Sequence, residues 1–110
     1  MIKVNAVVDD EGILRSCKVC GHSGAGGKGG DIVCAAVSVL MRTAFSVLND
    51  REGLIIRGDA PEPGFLWLEV DCSAEGKDFL YAVGVFLLEG LRSVAAEYPE
   101  NCEVNIGKNL

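Results

Sequence analysis

The stretch DIVCAAVSVLMRTAFSVLND, Asp31 to Asp50, decides the fold. A carboxylate of the kind favoured at helix starts stands before a run of about 19 residues of good helical content, and Asn49-Asp50 closes it. Apart from Ser38, Arg42, Thr43 and Ser46 the run is apolar on most faces, more than one sheet face alone would cover. Its apolar part, Ile32 to Leu48, carries Arg42 in the middle and is short for a bilayer, so it reads as a buried helix.

Upstream, Ile2, Val4, Ala6 and Val8 alternate with Lys3, Asn5 and Val7, the period of a half-buried strand. Asp9-Asp10-Glu11-Gly12 supplies a turn before a second run from Ile13 to Cys20, which predicts a hairpin, and a glycine-rich loop then runs from Gly21 to Gly30. Downstream, Leu54 to Arg57 and Phe65 to Asp71 read as strands around an Ala60-Pro61-Glu62-Pro63-Gly64 turn. Asp78 precedes a second helix, roughly Phe79 to Tyr98, which stops at Pro99 because a residue before proline avoids the helical region. Cys102, Val104 and Ile106 alternate in a last short strand. The order ββαββαβ predicts an α+β fold, an α/β sandwich whose sheet of about five strands carries two packed helices. The 110 residues are expected to form a single domain, 1–110, and show no internal repeat, low-complexity segment or linker.

The chain is 49% hydrophobic, 24% charged and has a net charge of −6, with no run of Lys or Arg to neutralise successive phosphates. That balance argues against direct nucleic-acid binding. The opening MIKVNAVV lacks the apolar core and cleavage site of a signal peptide, so a cytoplasmic protein without membrane attachment is expected. Five cysteines, an odd number, are then simplest as reduced thiols.

With Asp31 at the helix N-cap, Cys34 falls at the third helical position, where free amides and the macrodipole favour a thiolate. His22 at the end of the second strand would meet it if the glycine loop folds back, making a nucleophile and base pair beside amides able to receive an oxyanion. Each residue also has a plainer reading. A cysteine inside IVCAAVSVL packs as a small core residue, and a lone His beside a turn sits at the surface. Asp31 caps the helix rather than completing a triad, since its carboxylate would oppose a thiolate. Ser38, one turn after Cys34, lines the same face.

The loop and its flanks offer other patterns. Gly24 to Gly29 fits GxGxxG between a strand and a helix, but no second parallel strand with an acidic residue follows at the right distance. A P-loop fails because His22 stands where glycine is required and Gly29 where Ser or Thr is required. Cys17 and Cys20 form CxxC and, with His22 and Cys34, could offer zinc ligands, yet an extended strand points Cys17 and Cys20 to opposite faces.

The combination of Gly21-His22, a glycine-bearing loop, and Asp31-Ile32-Val33-Cys34-Ala35 followed by Ser38 resembles the ribosomal-processing cysteine protease family called Prp. Ser23 replaces the family's usual Ala after the His, and the loop is richer in glycine than most. The resemblance implies a homodimeric endopeptidase without cofactors, with Cys34 as nucleophile and His22 as general base and acid. Gly21, Gly30, Asp31 and Ser38 are then supporting or substrate-binding positions. The implied partner is a ribosomal protein precursor, cut to remove the N-terminal extension of the large-subunit protein L twenty-seven after an aromatic or other apolar residue. An acidic chain suits that basic substrate. Two other expectations stand beside it: a non-catalytic ribosome-assembly binding module with Cys34 in its core, and a small zinc-binding domain using Cys17, Cys20 and His22.

Overall fold

Alternation sets the first hairpin. In the computed structural model, which describes residues 1–21, 30–62 and 64–108, strand β1 (Ile2–Val8) buries Ile2, Val4, Ala6 and Val8 and pairs antiparallel with β2 (Leu14–Cys20). Helix α1 (Gly30–Leu48) follows, then the strands β3 (Leu54–Glu62) and β4 (Phe65–Cys72), a 3-10 turn over Ala74–Gly76, helix α2 (Lys77–Glu97) and β5 (Cys102–Lys108). The ββαββαβ order and the five-stranded sheet are as expected from the sequence.

The strands lie in the order β3-β4-β2-β1-β5, with β5 parallel to β1 and every other pairing antiparallel. Each helix therefore joins parallel strands that are not neighbours: α1 carries the chain from β2 past β4 to β3, and α2 from β4 past β2 and β1 to β5. The two crossovers travel in opposite directions from strands of opposite sense, so the right-handed rule puts both helices on the same face. Burial agrees. Val4, Cys17, Val19, Leu68 and Cys102 are closed off beneath the helices, while Lys3, Asn5, Lys18 and Glu103 on the opposite face are exposed.

The core is wholly apolar among the described residues. α1 contributes Val33, Val37, Met41, Ala44 and Leu48, and α2 contributes Leu80, Leu87, Leu88 and Leu91, each a stripe at helical spacing. Both helices are long and apolar enough to cross a membrane by length and composition. Here those stripes lie on the sheet and the outer faces stay open: Val39 of α1 and Phe86 of α2 are 53% and 75% exposed, so the helix expected to be buried is covered on one face only.

Three boundaries differ from expectation. β3 continues through Ala60 and Pro61 to Glu62, with an irregularity between Asp59 and Glu62, so the predicted five-residue turn is largely strand. β3 is an edge strand, where a proline costs no ladder hydrogen bond. α2 starts at Lys77, so Asp78 lies in its first turn rather than before it. α1 starts at Gly30, which is buried, and this moves Asp31 from the capping position into the first turn, where its exposed carboxylate meets the positive end of the dipole. Cys34 is consequently the fifth helical residue rather than the third.

The β1–β2 turn is organised by one carboxylate. Asp9 Oδ1 accepts the amides of Glu11 at 2.9 Å and Ile13 at 3.0 Å, and Oδ2 accepts Arg15 Nη2 at 2.7 Å. Arg15 Nη1 reaches on to Asp71 Oδ1 on β4 at 3.0 Å. The Ile13 amide, with the Arg15 guanidinium and Glu11 amide adding to it, holds the Asp9 carboxyl below the usual carboxylate range. Because the folded value is the lower one, this stabilisation is present above the unfolded carboxylate pKa and is lost as pH falls through the folded one. Asp9→Asn is expected to lower stability at neutral pH and flatten its fall in acid, as read from melting temperatures between about pH 2 and pH 7.

Candidate active site

The side chains at Cys34, Val37, Ser38, Met41 and Arg42 recur every three or four residues and so form one stripe of α1. Cys34, Val37, Ser38 and Arg42 face a cleft of about 500 Å³ whose opposite wall is the turn end of the β3–β4 hairpin, with Ala60, Pro61, Glu62 and Phe65. Gly21 and Val19 at the end of β2 close its third side. Cys34 is half-buried, packed against the core on one side and open to the cleft on the other. Both readings of this cysteine from sequence thus describe part of its setting.

Gly21 has no freedom to be another residue. Its φ is +111°, a region L side chains rarely adopt, and an added Cβ would run into the carbonyl oxygen of Met1. Its amide donates to the carbonyl oxygen of Gly64 at 2.9 Å. The chain leaving β2 is thereby held between the start of β1 and the hairpin turn, on the rim of the cleft that Cys34 faces.

The other expected site residues divide. Ser38 lines the cleft one turn below Cys34, and Gly21 lines it from the strand side. Gly30 is buried at the head of α1, and Asp31 is exposed and absent from the cleft wall. The cap role expected of Asp31 is therefore not the one it has. His22 lies outside the described residues, as does the rest of the glycine run over 23–29 with its GxGxxG spacing.

The proposed zinc set does not assemble from its strand members. Cys17 pairs opposite Ala6 on the helix-covered face, and Cys20 pairs opposite the exposed Lys3 on the other, so the two thiols diverge. Burial also pushes the Cys17 thiol up to about 12, against the thiolate that zinc requires. Among the described residues no cluster of three His, Cys, Asp or Glu side chains is placed to hold a metal.

Sequence reasoning noted Arg42 only as a polar break in α1, and it did not anticipate the hairpin wall. The signal for Arg42 was present, since residues 34, 38 and 42 are one helical turn apart. Nothing local signals that the turn end of the β3–β4 hairpin walls the cleft that Cys34 faces, because that placement depends on a crossover over an intervening strand.

The family model of cysteine protease Prp matches residues 1–103. No curated protein sequence matches the chain significantly. Among solved structures, the chain is similar to an essential ribosomal processing protease Prp from S. aureus in complex with a substrate peptide, at TM-score 0.81 and 23% identity, over 96% of this chain and 99% of that one. It is likewise similar to the S. aureus protease with a covalently linked product peptide, at TM-score 0.79 and 24% identity, again over 96% and 99%. SMU.848 from Streptococcus mutans matches at TM-score 0.75 and 28% identity, over 99% of this chain and 96% of that one. The structural likenesses below 25% identity establish the shared fold, and the family match over nearly the whole chain establishes the chemistry: this chain belongs to the cysteine protease Prp family and is a cysteine peptidase.

Proposed function

We propose that the chain is a cytoplasmic endopeptidase that removes the N-terminal extension of the large-subunit ribosomal protein L twenty-seven, with Cys34 as nucleophile and His22 as general base and acid. The observation that carries the reading is that Cys34 is the one described cysteine in the wall of the cleft, at the head of a helix and open to a space large enough for an extended peptide. The Cys34 thiolate attacks the scissile carbonyl, forming a C–S bond; the C–N bond breaks and His22 gives its proton to the departing amine. His22 then takes a proton from water, which forms a C–O bond to the acyl carbon, and the C–S bond breaks to release the acid and restore the thiolate. The free amides of the first turn of α1 are suited to the developing oxyanion.

The substrate assignment is supported by the family membership and by the chain's acidity, which draws in a basic ribosomal protein. Incubating the protein with the same organism's L twenty-seven precursor and following intact mass tests it. A single N-terminal truncation is expected, and an untouched precursor beside a folded, thiol-competent enzyme would refute the assignment.

The reading includes a homodimer. Between the outer faces of α1 and α2 runs an apolar groove of about 470 Å³ lined by Val39, Leu40, Val47, Val83 and Phe86, an uncovered patch of the kind that marks an interface. Phe86→Glu is expected to convert a dimer into a monomer in sedimentation velocity with the circular dichroism spectrum unchanged.

A further inference from the structure

The cleft at Cys34 does not end at Arg42. A second pocket of about 290 Å³ continues the same face of α1, with Met41 and Phe45 on the helix and Gly58, Leu66 and Leu68 on the strands. Arg42, Ala60 and Leu66 belong to the walls of both, so the two spaces form one groove between α1 and the hairpin. Along the helix axis Met41 lies ~10 Å and Phe45 ~16 Å from Cys34 at 1.5 Å per residue. An extended peptide advances roughly 3.3 Å per residue, which places the second pocket about three to five residues from the bond held at Cys34.

Gly58 makes this pocket. A Cβ there would stand 2.8 Å from the carbonyl oxygen of Trp67 and 2.9 Å from Phe45 Cδ2 and Cε2, closer than Cβ atoms come to other atoms. The missing side chain is what allows the Phe45 ring to lie directly on the β3 backbone as a wall of the groove. The floor, from Met41, Phe45, Leu66 and Leu68, is apolar, which favours an apolar occupant.

Resting on the peptidase reading above, we propose that the Phe45–Gly58 pocket is a remote specificity site, which selects an apolar side chain of the substrate peptide about three to five residues from the scissile bond. The occupant is the peptide itself because the groove is continuous with the space that receives the scissile bond.

The test uses fluorescently labelled peptides spanning the L twenty-seven processing site, each with one residue three, four or five positions to either side of the bond changed to Asp. Their affinities for the full-length Cys34→Ala protein are measured by anisotropy, and cleavage by the wild type is measured in parallel. One position is expected at which Asp weakens binding roughly tenfold or more, with the loss appearing in KM rather than kcat. Phe45→Ala is expected to erase that preference while leaving the effects at other positions intact. Phe45→Leu, a milder change that keeps an apolar wall, is expected to reduce it. Equal affinities for the whole panel, or a preference unchanged in both folded Phe45 variants, would overturn the proposal. The two readings separate cleanly. Cleavage of every panel member at equal efficiency sinks the remote site and leaves the peptidase, whereas selective binding abolished by Phe45→Ala without any wild-type cleavage supports the pocket and sinks the peptidase reading.

Discussion

Cys34→Ala is expected to lower peptide cleavage by about three orders of magnitude or more while leaving the fold intact, the largest effect of any single change in this chain. The first half follows from chemistry: without the sulfur no acyl-enzyme forms, and whatever binding and oxyanion stabilisation remain give only residual rates. The second half follows from packing. Cys34 is half-buried and touches the core only with one side, so alanine removes a single sulfur from a partly solvated site rather than opening a closed cavity. Thermal unfolding of the variant is expected within a few degrees of wild type. The four other thiols provide controls, because alanine at Cys17, buried against the helices, is expected to lower stability and not the rate constant of the folded enzyme. Cleavage by Cys34→Ala at more than about a tenth of the wild-type rate would remove the proposed nucleophile.

Gly21→Ala is expected to cost both stability and activity. A non-glycine residue at φ +111° is strained by about 1–3 kcal/mol in its own right, and the new Cβ would also press on the carbonyl of Met1. That carbonyl has little room to retreat, because the next amide, that of Ile2, donates to the Asn101 carbonyl at 2.9 Å and fixes the start of β1 to the start of β5. Relief by moving residue 21 instead would break its hydrogen bond to Gly64 and shift the cleft rim. His22 follows immediately in the chain, so activity is expected to fall at temperatures where the variant is still fully folded. Urea unfolding alongside kcat/KM separates the two losses. A variant as stable and as active as wild type would show that the chain does not take this path past Met1.

How much of this was legible in advance depended on range. The alternation in β1 and the long apolar run of α1 are local signals, and with the strand and helix signals downstream they placed the five strands and two helices in the right order. Ends were less legible, since a buried glycine entered α1 and a proline was accepted on an edge strand, and both read as breaks when context is absent. Strand order was not written locally at all: the separation of β2 from β3 by β4 follows from long-range pairing. The same divide runs through the site. Cys34 and Ser38 were recognisable as a pair one helical turn apart, and Cys17 and Cys20 as thiols on opposite faces of a strand. The hairpin wall, and with it the second pocket at Gly58, emerged only when the crossover brought β3 beneath α1. Asp31 shows the reverse case, where a local rule named a cap and a shift of one residue turned it into a charge at the helix end.

The most direct measurement is covalent labelling by a peptide chloromethyl ketone whose residue next to the reactive group is apolar, with the modified cysteine mapped by mass spectrometry. In the wild type a single adduct on Cys34 is expected, formed much faster than with a simple alkylating agent and slowed in His22→Ala. Label spread over Cys20 and Cys72, or no label on a folded protein, would contradict Cys34 as the nucleophile of this cleft.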